Sequence, residues 1–107
     1  MTPLHTGQFG LTDSIISQLQ KVLTQYPHIS SAKIYGSRAK GTFHDRSDID
    51  IALIGNDITR FEVAGILLEL DESNIPHSFD FNIYHEIKNL ALKEHIDRIG
   101  KSIYPAQ

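Results

Sequence analysis

The sequence predicts a small α/β (α+β) domain, one β-sheet with helices packed on it. Three observations predict it. Helix-period and strand-period segments follow one another in the order α-β-(loop)-β-α-β-α. Pro, Gly and Asn residues punctuate most of the junctions. The 107 residues hold no repeat, linker or low-complexity stretch, so a single domain over 1–107 is expected.

Residues 1–11 carry Pro3, Gly7 and Gly10 and read as a loose N-terminal arm. From Thr12 or Asp13, either of them a suitable N-cap, the residues Ile15, Ile16, Leu19, Val22, Leu23 and Tyr26 recur at helical spacing until Pro27. Ala32 to Tyr35 is a short β-prone run entering a turn at Gly36-Ser37. Asp48 to Ile54 is rich in Ile, as a strand buried on both faces would be, and Gly55-Asn56-Asp57 ends it. Ile58 to Leu70 is apolar around most of its circumference and reads as a helix packed on the sheet, one face of which could meet another subunit. After a break at Asn74–Pro76, Ser78 to Tyr84 alternates cleanly, with Phe79, Phe81 and Ile83 on one face and Asp80 and Asn82 on the other. Glu86 to Ile99 is a last helix with Gly100 as its C′ residue, and Ile103-Tyr104 can add a terminal strand. Phe61, Phe79 and Phe81 are expected in the core.

Composition narrows the function. With no Cys, there is no disulfide, thiolate metal site or Cys nucleophile, which suits a reducing cytoplasm. The N-terminus lacks the basic start and apolar run of a secretory signal, and no apolar stretch approaches the length of a membrane span. A formal net charge of -3 argues against a broad nucleic-acid-binding face. A polyanion would have to meet a local cluster, and Arg38, Lys40 and Arg46 supply one.

The chemistry concentrates between Tyr35 and Leu53. Asp48 and Asp50 are two apart on a strand, so both carboxylates leave one face with Cα atoms about 6–7 Å apart. Two such acids repel unless a cation lies between them, and hard oxygen donors favour Mg²⁺ over zinc. Asp80 adds a third acid if its strand lies beside theirs, and two metal ions about 3.5–4 Å apart then become feasible. Gly36 lets the backbone approach a phosphate, Ser37 offers a hydroxyl and an N–H, and Arg38 and Lys40 bring positive charge to the same turn.

Gly36-Ser37, ten intervening residues and Asp48-x-Asp50 resemble the signature of the DNA polymerase beta-type nucleotidyltransferase superfamily. The fuller run from Gly36 to Gly41, with Ser47 to Ile51, resembles its minimal nucleotidyltransferase (MNT) branch. The resemblance implies a small mixed sheet of the nucleotidyltransferase fold. Asp48, Asp50 and Asp80 would be catalytic and hold two Mg²⁺ ions, with Gly36 and Ser37 on the phosphates of ATP. It also implies a partner, since many MNT proteins act as antitoxins that move AMP onto a Tyr of a small helical HEPN toxin. The chain shows no segment long enough to serve as an acceptor-binding domain, which agrees with a separate partner.

Other readings compete residue by residue. Asp48 and Asp50 could be solvated acids of a turn after Asp45-Arg46-Ser47, Asp80 an edge-strand surface acid, and Arg38, Lys40 and Arg46 ordinary loop charges. His44 reads as a surface residue, while His77, His85 and His95 show no ligand spacing and read as structural or exposed. At the level of the whole protein, the rivals are a catalytically silent module that masks its partner and a nucleotidyltransferase with a small-molecule acceptor such as an aminoglycoside. A polymerase or tRNA-tailing enzyme lacks the nucleic-acid surface it would need.

Overall fold

The start of each of the three long helices is set by a side chain that caps it. In the computed structural model, which describes residues 8–44 and 46–105, the Thr12 hydroxyl accepts from the Ile15 N–H at 3.2 Å and opens helix α1, Asp13–Leu23. The cap is thus Thr12 rather than Asp13. Strand β1, Ile29–Tyr35, starts three residues before its expected Ala32, because Ile29 is buried and pairs with Gly55. Ser30 and Ser31 conceal that start from a reading of apolar alternation. The four-residue helix α2, Ser37–Lys40, follows directly, and strand β2, Ile49–Gly55, comes after the loop.

Helix α3, Arg60–Glu72, runs two residues later at each end than its apolar pattern suggests. Its start is a capping box: Thr59 Oγ1 accepts from Glu62 N–H, and Glu62 Oε1 accepts from Thr59 N–H at 2.8 Å. Strand β3 is Phe79–Ile83. The last helix, expected from Glu86, begins only at Leu90. A 3₁₀ turn at Tyr84–Glu86 comes first, and Asn89 Oδ1 then caps the Leu92 N–H, so α4 is Leu90–Ile99. Gly100 ends it, though not in the left-handed conformation expected of a C′ glycine. Its φ is -57°, and its lack of a side chain matters because a Cβ would lie 2.4 Å from the Ile96 carbonyl oxygen. The terminal strand β4, Lys101–Tyr104, is longer than the expected Ile103-Tyr104.

The sheet order is β3-β2-β1-β4. β2 runs parallel to β3, while β1 is antiparallel to both β2 and β4, so the sheet is mixed as expected. One face carries Ile34, Ile49, Ile51, Leu53, Phe81 and Ile83, covered by Leu19 and Leu23 of α1 and Ile66 and Leu70 of α3. The other face is more sparsely covered: Tyr35 and Ala52 pack with Ile96 of α4. Burial of β2 on both faces therefore holds for its middle, while Asp50 is only half-buried.

Two further expectations fail. Leu11 is 1% exposed and the Phe9 carbonyl accepts from Arg38, so the end of the expected loose arm is packed; residues 1–7 lie outside the described residues. Phe61, expected in the core, is 90% exposed, and Leu68 is 60% exposed. The cause is geometric: α3 turns Ile66 and Leu70 to the sheet, and a helix apolar on most sides cannot bury all of them against one layer. Among the described residues no helix is long and apolar enough to cross a membrane.

Candidate active site

Strand register sets two of the acids, Asp50 and Asp80, side by side. Asp50 of β2 stands opposite Asp80 of β3 in the parallel pairing and opposite Tyr35 of β1 in the antiparallel pairing. Directly paired residues project to the same face, so Tyr35, Asp50 and Asp80 share the face that α4 covers only in part. Asp48, two residues before Asp50, is exposed at the mouth of the same strand.

Electrostatics record this crowding. Burial raises the Asp50 carboxyl above the ordinary carboxylate value, the charges of Asp80 and Asp48 raise it further, and His95 partly offsets them. The Tyr35 hydroxyl is also pushed up, first by burial and then by Asp50 and Asp80, against the lowering effect of a 2.7 Å hydrogen bond donated by Asn82 Nδ2. Among the described residues no three His, Cys, Asp or Glu side chains are gathered into a set able to hold a metal ion. The acids are neighbours rather than a closed cage. The donor set itself fits a hard divalent cation: carboxylate oxygens on adjacent strands, no sulfur, and one carboxyl whose charge is disfavoured until a cation arrives.

The glycine turn abuts these acids. Gly36 has φ 75° and ψ -152°, a conformation essentially restricted to glycine, and any Cβ there would fall 2.4 Å from Asp50 Oδ2. The backbone therefore passes directly against the carboxylate. Ser37 is the first residue of α2, and Lys40, the last, has an exposed side chain.

Arg38 corrects the expectation of a free cation at the phosphates. It is 2% exposed; Nε and Nη2 donate to the Ser47 carbonyl at 3.2 and 2.9 Å, and Nη1 donates to the Phe9 carbonyl at 2.8 Å. Its guanidinium also lies over the Phe43 ring, 4.9 Å from the centroid. The charge is thus committed to tying α2 to the N-terminal turn and to the loop that delivers Asp48. Arg46, the third cation of the expected cluster, is exposed on that loop.

Three neighbours of the site had no role in it from the sequence: Tyr35, at a strand end near the site, Asn82, and His95, which reads as structural or exposed. His95 Nε2, on α4, accepts from the Gly36 N–H at 3.1 Å, and its ring meets that of Tyr35 edge-on. Asn82 was legible in principle, being two residues after Asp80 on the same polar face. His95 was not, since 59 residues separate it from Gly36 and no spacing rule spans that gap.

Comparison with known proteins supplies the context. The family model described as polymerase beta, nucleotidyltransferase, matches residues 17–107. No curated protein sequence matches the chain. Among solved structures, the chain is similar to a toxin–antitoxin with AMP-PNP, at 22% identity and TM-score 0.69 over 91% of this chain and 76% of the other. A mutant of the MntA–HpeT toxin–antitoxin gives 18% identity and TM-score 0.69, covering 86% and 74%. A tri-AMPylated Shewanella oneidensis HEPN toxin in complex with MNT antitoxin gives 17% identity and TM-score 0.65, covering 85% and 70%. These structural likenesses establish a common fold.

Proposed function

From the premise that this chain belongs to the polymerase beta nucleotidyltransferase family, we propose that it transfers AMP from ATP to a hydroxyl of a partner protein, as the MNT antitoxin of a HEPN toxin. The observation that carries this reading is the register that pairs Asp50 with Asp80, with Asp48 two residues upstream and the Gly36 turn pressed on Asp50. Acids crowded beside a glycine turn are what binding a polyphosphate with its cations requires. The partner class and the nucleotide follow the neighbours, one of which is a toxin–antitoxin with AMP-PNP and another a complex of MNT antitoxin with an AMPylated HEPN toxin. The acceptor class, a tyrosine hydroxyl, follows from the MNT resemblance.

Asp48, Asp50 and Asp80 would hold two Mg²⁺ ions, which when bound neutralise phosphate charge and lower the pKa of the attacking hydroxyl. The chain's own contributions are positional. The Gly36 turn brings backbone against the triphosphate, with the Ser37 hydroxyl and the Lys40 ammonium beside it. Arg38 holds the loop that presents Asp48. The hydroxyl oxygen attacks the α-phosphorus, the bond between the α-phosphorus and its bridging oxygen breaks, and pyrophosphate leaves. The hydroxyl proton passes toward Asp80. Most of the rate gain comes from alignment and preset charge.

A second reading, a silent module that masks its partner, is favoured by one observation: Phe61 and Leu68 present apolar surface on α3. One experiment separates the two. The tagged protein, purified with what it captures in its own cell, is incubated with α-labelled ATP and Mg²⁺ or EDTA, beside Asp48→Asn. Label on the captured protein, in wild type with Mg²⁺ only, establishes protein adenylylation. A retained partner that stays unlabelled with every NTP establishes the masking role. Label transferred only to an added small molecule would reassign the acceptor.

A further inference from the structure

We infer that His95 is a positioning residue for nucleotide binding: it sets the Gly36-Ser37 turn through the Gly36 N–H. The inference rests on the nucleotidyltransferase reading for its consequence, but not for its geometry. The Gly36 peptide is held from two directions. The Asp50 carboxylate lies so close to the Gly36 Cα that a Cβ could not be added, and His95 Nε2 takes the Gly36 N–H at 3.1 Å. The Gly36 carbonyl is engaged by α2, accepting from the Lys40 N–H at 3.1 Å, and the Gly36 N–H is the group left for His95.

The hydrogen bond presents the Nε2 edge of the imidazole to the Gly36 peptide. Tyr35 holds the ring edge-on, with centroids 6.1 Å apart and planes at 78°. Tyr35 is itself anchored through its hydroxyl to Asn82 on β3, two residues beyond Asp80. The imidazole therefore links α4 to the turn, and the Tyr35–Asn82 pair links the turn to the strand of the third acid. One consequence concerns the phosphates. The Gly36 N–H already has its acceptor and does not serve them, so their ligands from this turn begin at Ser37.

His95→Leu removes the acceptor while keeping an apolar body against Tyr35, and His95→Gln restores an acceptor of similar reach. Two readouts apply to each variant. The first needs no nucleotide: amide exchange of Gly36 by NMR, with the β2 amides as internal reference. Exchange at Gly36 is expected to accelerate in His95→Leu and to slow again in His95→Gln, with β2 protection unchanged. The second is affinity for Mg²⁺·AMP-PNP by calorimetry, expected to fall about ten-fold or more in His95→Leu and to recover in His95→Gln. Unchanged Gly36 exchange in His95→Leu would overturn the inference. So would accelerated exchange with intact affinity, since the turn would then not matter to the nucleotide. If wild type itself binds no Mg²⁺–nucleotide, the functional reading fails, and the positioning claim for the nucleotide falls with it, whereas the exchange result still decides whether His95 holds the turn.

Discussion

The two faces of this sheet are made of alternate residues of the same strands, yet they do opposite work. On one face Ile49, Ile51 and Leu53 are fully buried beneath α1 and α3. On the other, Asp50 stands between Asp48 and Asp80 under a partial cover, and its carboxyl is pushed toward the neutral form by burial and by its neighbours. The apolar face stabilises the fold by removing hydrocarbon from water. The acidic face costs stability, because uncompensated charge is concentrated there. A period of two keeps the liabilities of the site off the surface that holds the domain together.

That contrast can be broken most forcefully from the apolar side. Ile51→Ala should cost about 2–5 kcal/mol, a large part of the roughly 5–15 kcal/mol of a typical domain, read as a lower urea midpoint. On the acidic side, Asp48→Asn should lower transfer by about 10²–10³-fold, with thermal stability changed by no more than about 0.5 kcal/mol. A variant that lost both together would show that the two faces are not separable.

Arg38 tests the border between structure and site. Because its guanidinium is buried on backbone carbonyls, Arg38→Met should lose about 1.5–3 kcal/mol of stability, whereas Lys40→Ala should leave the urea midpoint unchanged and weaken nucleotide binding only. Equal midpoints for the two variants would return Arg38 to the role of a surface cation.

Asp50→Asn sharpens the comparison through pH. The folded-state pKa of Asp50 lies above its ordinary 3.8, so between those values the folded chain binds more protons than the unfolded one. Wild type without metal should therefore lose stability as pH rises through that window, and the loss is complete above the folded value. Asp50→Asn should lack this loss and melt higher than wild type at neutral pH in EDTA, by a small margin because the group is partly solvated. Thermal melts across pH read the sign. The smallest effect belongs to Phe61→Ser: with the ring 90% exposed, monomer stability should move by no more than about 0.5 kcal/mol.

Much of this was legible in the residues. Period two in Phe79 to Ile83 placed Asp80 on the side of its strand away from Phe81 and Ile83, the side on which it pairs with Asp50. Glycine at 36 announced a turn that a side chain would block. These readings succeed because strand periodicity and backbone sterics are local. The start of α4 at Leu90 and that of β1 at Ile29 were less clear. An Asn cap and a pair of serines carry weak local signals, and tertiary pairing decides between alternatives.

What the chain by itself determined, then, is the alternation, the punctuation and the acid and glycine positions, all of which depend on neighbours within a few residues. Tertiary structure alone decided the parallel register that sets Asp50 against Asp80, the burial of Arg38 beneath its loop, the exposure of Phe61 and the arrival of His95 at Gly36. Each of these depends on groups far apart in sequence meeting across packed elements. Sequence distance carries no information about such meetings until the elements dock.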